Sequence, residues 1–180
     1  TKTEGKQEKT IDYSEEILEV VDHEDRVIGT ERRGKIHELG LMHRSAQVLL
    51  FNSAGNLFLQ KRSLNKDEFP GLWDSSAAGH LAPGEGYAEC ALRELEEELG
   101  IRPPGTLTRL FKFPASSDTG YEHCTVFHCV SDSPLTLQEE EIDEGKWISP
   151  EEMDLWVADP GYRLTPAVRN IWRRFRQRQA

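Results

Sequence analysis

The run Gly79 to Ile101 (GHLAPGEGYAECALRELEEELGI) constrains this chain of 180 residues more than any other stretch. Ala88, Ala91, Leu92, Leu95 and Leu99 recur at helical spacing, which predicts an amphipathic helix over 87–99, stopped by Gly100. Glu94, Glu97 and Glu98 stand at i, i+3 and i+4, so one turn carries three carboxylates on one face. Exposed like charges so placed repel by roughly a few tenths of a kcal/mol per pair. Hard divalent cations prefer oxygen ligands, and several carboxylates on one rigid element suit Mg²⁺, with Mn²⁺ as a substitute. Mg²⁺ keeps part of its water shell and binds substrate phosphates, so the implied ligand is a phosphate ester or a diphosphate. Gly79, Gly84 and Gly86 let the preceding backbone turn sharply and approach the helix closely. Glu85, eight residues before Arg93, is placed to pair with it and fix this loop.

The remaining sequence arranges itself around that helix. Strands are expected at Ile17–Val21, Arg26–Gly29, Ala46–Asn52, Leu57–Arg62, 107–113, His123–Val130 and Lys146–Ile148. Ser53-Ala54-Gly55-Asn56 reads as the turn between two of them, and Arg32–Leu39 as a short helix or loop. The small residues Asp74 to His80 read as a strand end beside a site. Ser149-Pro150 and Thr165-Pro166 each open a helix with a cap and a proline. Residues 1–14 are polar and are expected to form an unstructured tail, leaving 15–180 as one domain. Strands on both sides of a central helix, with helices at the end, indicate an α/β class, a mixed central sheet between helical layers.

A formal net charge of −10 argues against nucleic-acid polymers and anionic membranes as partners. It leaves room for a small anionic substrate where a divalent metal reverses the local field. Cys90, Cys124 and Cys129 are too few and too scattered for a disulfide framework and read as packing residues. No stretch approaches the ~20 apolar residues of a membrane span, and the polar start lacks a signal core. The expected location is therefore cytoplasmic. Arg169, Arg173, Arg174, Arg176 and Arg178 read as charges that meet the negative end of the last helix dipole.

The run resembles the signature of the Nudix hydrolase superfamily: Gly79, Glu85, Arg93, Glu94, Leu95, Glu97, Glu98, Gly100 and Ile101 occupy its fixed places. The resemblance implies a Nudix-like α/β/α sandwich, often dimeric. It implies Glu94, Glu97 and Glu98 as metal ligands, with Gly79, Glu85 and Arg93 as structural support. It also implies hydrolysis of a phosphoanhydride bond in a small diphosphate-containing substrate, such as a nucleoside diphosphate derivative. A loop glutamate, Glu144 or Glu141, is the candidate for completing deprotonation of the attacking water.

A longer stretch from His43 to Ile101 is similar to the branch containing type I isopentenyl-diphosphate isomerases, through Leu59-Gln60-Lys61-Arg62-Ser63, Lys66, Phe69-Pro70-Gly71-Leu72-Trp73 and Gly79-His80. That similarity assigns the diphosphate to Arg62 and Lys66, a guanidinium and an ammonium that together make a sensible anion clamp. It also lays His37, His43, His80 and Glu122 on the branch's second metal set, although the further acidic ligand expected near Glu122 falls on Gly120. Two departures concern the isomerase chemistry itself. Ala78 stands where the branch has a cysteine, and Ala167 where it has a tryptophan shielding a cation. Methyl groups supply neither a proton nor a π face, unless Trp172 or Cys124 substitutes. The expectation is a hydrolase on an isomerase-like scaffold; the alternatives are the isomerase and a non-catalytic nucleotide-binding module.

Overall fold

The computed structural model describes residues 12–103 and 107–179. Of the tail expected over 1–14, residues 1–11 lie outside the described residues, whereas Asp12 to Ser14 form the entry to the fold. Strands β1 (Ile17–Val21) and β2 (Val27–Arg32) pair antiparallel as a separate ribbon, and β2 runs three residues beyond its expected end. Helix α1 (Arg33–Leu39) follows and ends at Gly40, whose φ of 63° is left-handed.

Among the described residues the main sheet contains seven strands: β3 (His43–Phe51), β4 (Leu57–Arg62), β5 (Trp73–Asp74), β6 (Ala77–His80), β7 (Thr108–Phe113), β8 (Glu122–Val130) and β9 (Ile142–Ile148). It is mixed. β3 runs parallel to β8 from His43↔Glu122 to Phe51↔Val130, and the other pairings are antiparallel. The 53–56 turn forms, but β3 and β4 share only the Phe51↔Leu57 pair before diverging, β3 to β6 and β4 to β5 and β9. β9 begins at Ile142, four residues earlier than expected, so part of the acidic segment that reads as a loop is strand. Backbone pairing with β4 outweighs its charge there.

Helix α2 (Tyr87–Leu99) lies on one face of the sheet; α3 (Pro150–Ala158) and α4 (Pro166–Gln179) lie on the other. Alternation along β3 explains the two cores. Ala46, Val48 and Leu50 face Cys90, Ala91, Leu95 and Leu99 of α2, while Leu49 and Phe51 face Met153, Val168, Ile171 and Trp172. Leu95 and Leu99 are fully buried, each contributing about 1.5–3 kcal/mol of apolar burial. They hold the charged face of α2 in register with the sheet. Gly100, at φ 68°, ends the helix with its N–H on Glu96 O. Ser149 Oγ accepts the Glu152 N–H at the start of α3, and Thr165 Oγ1 accepts the Val168 N–H at the start of α4. Cys124 and Cys129 fall into opposite cores, and all three cysteines are free and buried. Among the described residues, no helix is long and apolar enough to cross a membrane.

Candidate active site

The turn Leu81–Gly86 folds back over α2, where Arg93 holds it with three hydrogen bonds. Its Nε donates to Glu85 Oε2 (2.8 Å), and its Nη2 donates to Glu85 Oε1 (2.9 Å) and to the His80 carbonyl (3.1 Å). Its Nη1 donates to Glu94 Oε1 (2.7 Å) and Glu97 Oε2 (3.2 Å). One guanidinium thus ties the glycine-rich loop to two of the three helix carboxylates. Glu98 points inward, accepting the Ala78 N–H (3.0 Å) and Gln60 Nε2 (3.3 Å). A Cβ on Gly79 would collide with the side chain of Glu94. The strand passes that close because position 79 carries no side chain.

Glu94, Glu97 and Glu98 line one cavity of about 430 Å³ together with Arg33, Arg62, Lys66 and Glu141. Their environments differ. Glu97 is half exposed, with 51% of its side chain accessible, whereas Glu94 retains 13% and Glu98 is buried. Burial raises the Glu94 carboxyl to about 7, with Glu97 adding to the rise and Arg93 opposing it. Burial raises Glu98 well above the carboxylate range, assisted by Glu94 and opposed by the Ala78 N–H and Lys66. Two carboxylates kept from full ionisation beside a third are a donor set suited to a divalent cation, which would replace the protons as counter-charge.

Three cationic side chains besides Arg93 line the same cavity. Arg62 donates from Nη1 to Asp74 Oδ2 (3.2 Å) and from Nε to the Glu68 carbonyl (3.0 Å). Lys66 contacts Glu141, and burial lowers its pKa. Arg33, which the sequence reading did not single out, is buried in the cavity wall. Its nearest carboxylates are Asp67 (3.5 Å) and Glu16 (4.0 Å), and its Nε has no hydrogen-bond partner among the described residues. The ring of Tyr13 lies 5.0 Å from the Arg33 guanidinium and 4.8 Å from Lys66 Nζ. The signal for Arg33 was absent because α1 enters the site only through packing of the β1–β2 ribbon against β3.

Glu144 does not reach this cavity. It is exposed on β9 in register with Lys61. Gln60 bonds to Glu98 and so faces α2; strand alternation turns Lys61 and its partner Glu144 to the other face. Of the two candidate bases, Glu144 thus stands apart from the cavity. Glu141 occupies the cavity wall instead, its carboxyl raised by burial. Arg169 is also reassigned: it donates to the carbonyls of Val157, Asp159 and Tyr162, closing the end of α3 rather than of its own helix.

His37, His43 and His80 come together with nitrogen atoms within 4.8 Å of one another. Glu122 Oε1 lies 2.5 Å from His80 Nε2 and 3.2 Å from His43 Nε2. The His43 Nδ1 meets the Leu41 carbonyl at 2.9 Å, while its buried Nε2 lacks a bond of good geometry. Burial raises Glu122, but His80 and His43 more than reverse this and leave it below the ordinary carboxylate range. A buried, unsatisfied imidazole nitrogen converging with two others and a carboxylate fits a borderline metal such as zinc or cobalt.

A NUDIX domain model matches residues 41–168. The chain belongs to the Nudix hydrolase family. Proteins of this family hydrolyse phosphoanhydride bonds, and generally use a divalent metal to do so. An uncharacterized Nudix hydrolase of Pseudomonas aeruginosa, PA4841, is 46% identical over 136 residues, covering 76% of this chain and 80% of that protein. Isopentenyl-diphosphate Delta-isomerase 2 of Photorhabdus laumondii is 34% identical over 138 residues, covering 75% of this chain and 78% of that protein. The crystal structure of DR0079 from Deinococcus radiodurans superposes with a TM-score of 0.78 at 28% identity, over 88% of this chain and 98% of that one. Both sides of the sequence resemblance, Nudix hydrolase and isomerase branch, thus have relatives, and the observed Nudix fold is the expected mixed α/β sandwich.

Proposed function

We propose that this Nudix enzyme is a Mg²⁺-dependent hydrolase of a phosphoanhydride bond in a small diphosphate-bearing molecule, such as a nucleoside diphosphate derivative. The observation that carries the proposal is that Glu94, Glu97 and Glu98 line one cavity together with Arg33, Arg62 and Lys66. A cavity that carries carboxylates able to hold a hard cation together with basic groups able to hold phosphate oxygens is one a diphosphate can bridge. When bound, the ion supplies polarisation of the phosphoryl oxygens and a lowered pKa for the attacking water.

The chain's own groups do the rest. Arg62, fixed at both ends by Asp74 and the Glu68 carbonyl, offers its remaining donors to the diphosphate. Arg33 brings a second guanidinium to the cavity wall. Lys66 is neutralised by Glu141 in the free protein; turning toward a diphosphate oxygen releases the Glu141 carboxylate. Freed in a buried setting that favours its protonated form, Glu141 takes the proton from water. A screen of Mg²⁺-dependent hydrolysis over nucleotide sugars, dinucleoside polyphosphates, oxidised nucleotides and isoprenoid diphosphates identifies the substrate. Undiminished turnover in both Glu97→Gln and Glu98→Gln overturns the reading. Glu141→Gln is expected to lower kcat by 10²–10⁴-fold, in the range of general-base removal, and to abolish the acid limb of the pH profile.

The His37/His43/His80/Glu122 set favours a second metal in the same site, as in the isomerase reading. The cysteine and the tryptophan that the isomerase branch uses as proton donor and cation shield are both replaced by alanine here. Ala78 and Ala167 both line the cavity. Trp172 is 1% exposed in the α3–α4 core, its Nε1 on Asp154 Oδ1, and does not line the cavity. Cys124 is buried, its thiol pushed up to about 12. Solvent-proton exchange into isopentenyl diphosphate above background would reverse this ordering.

A further inference from the structure

The second metal set carries one carboxylate, Glu122, and position 120, where another acid is expected, is glycine. The fold explains the glycine. Gly120 closes the single helical turn Ser117–Thr119 at φ 64°, a left-handed conformation that a glutamate adopts only with strain. A carboxylate nevertheless stands at the cluster. Glu68 places Oε1 3.4 Å from His37 Nδ1, approaching from the loop between β4 and β5. Glu68 and Glu122 line both the active-site cavity and an adjoining cavity of about 330 Å³, so both carboxylates border the same space. The backbone of Glu68 is held there, because its carbonyl accepts the Arg62 Nε–H at 3.0 Å. Phe69, the next residue, takes a φ of 46°, turning the chain at this point.

We propose that Glu68 supplies the second carboxylate of the His37/His43/His80/Glu122 metal centre, delivered by the β4–β5 loop in place of an acid at position 120. This rests on the metal reading of that centre made above. With Glu68 the donor set holds three neutral imidazoles and two carboxylates, which neutralise a divalent cation. Glu68 is 45% exposed on its side chain and free to close by a rotamer change, whereas His43 and Glu122 are already set by packing.

The test is Co²⁺ binding by the full chain in excess Mg²⁺, which occupies the all-oxygen site, read by the visible absorption of histidine-bound Co²⁺ and by calorimetry. The wild type is expected to take up one such ion, and Glu68→Ala to bind it at least about tenfold more weakly, with thermal stability in chelator unchanged. Gly120→Asp added to Glu68→Ala is expected to restore part of the affinity, since aspartate tolerates the left-handed region better than most residues. Equal Co²⁺ affinity in the wild type and Glu68→Ala overturns the role of Glu68 alone. Failure of the wild type to show any uptake sensitive to His43→Ala overturns the centre itself, and the inference with it.

Discussion

Replacing Glu94 by glutamine separates the cost of the metal-binding helix from its use. The Glu94 carboxyl sits at about 7 instead of the ordinary 4.5, chiefly through burial. At about 1.4 kcal/mol per pH unit, that difference is some 3 kcal/mol of stability missing from the metal-free protein once the group is ionised. The sign follows from the raised value: the stability is present below pH 4.5 and is lost as pH rises through about 7. Glutamine keeps the shape without the charge. In chelator at pH 8, Glu94→Gln should therefore be more stable than the wild type by up to about 3 kcal/mol, or roughly 6–10 °C in melting temperature for a domain of this size. At pH 5 the gap should shrink to under about 1 kcal/mol, because the wild-type side chain is then largely protonated. Saturating Mg²⁺ at pH 8 should reverse the order, stabilising the wild type and leaving the variant unmoved. Differential scanning calorimetry at the two pH values, with and without Mg²⁺, reads all of these. A variant no more stable than the wild type at pH 8 in chelator, or equally stabilised at both pH values, refutes the account of Glu94 as a buried carboxylate awaiting a cation.

Other outcomes follow from the same geometry. Mg²⁺ affinity, followed by calorimetry, should rise with pH by at least about tenfold per unit below about 7, with protons released on binding; a flat profile would contradict the raised Glu94. Gly79→Ala forces the Glu94 side chain away from its place, so circular dichroism should report an intact fold while Mg²⁺ affinity drops by at least about tenfold. Trp172→Ala should cost about 3–5 kcal/mol in denaturant unfolding through the cavity it leaves in the α3–α4 core, with kcat of the remaining folded enzyme unchanged. A catalytic tryptophan would behave oppositely.

Much of the fold was legible because its signals are local. The periodicity of 87–99, the left-handed stop at Gly100 and the capped prolines at Pro150 and Pro166 depend on a few neighbouring residues, and each element stands where its residues place it. The start of β9 was not legible, since Ile142–Gly145 becomes strand only by pairing with β4. The split of β3 and β4 after one shared pair is likewise a choice between competing partners.

For the site, the sequence by itself determined the acidic turn of α2 and the loop tied to it, because three carboxylates at helical spacing and a glycine where no side chain fits are one-dimensional facts. It grouped the histidines as one metal set only through the family resemblance, since nothing in their spacing brings them together. Only the tertiary structure decided which distant groups join that turn. It turned Glu144 to the far face through strand register, set Glu141 in the cavity wall just before β9, brought Arg33 into the cavity wall through the packing of the ribbon and α1, and buried Trp172 away from the chemistry. The physical reason is that a residue's neighbours along one helix turn follow from spacing alone, whereas its neighbours across a sheet depend on register, and one position of register reverses which face a side chain serves.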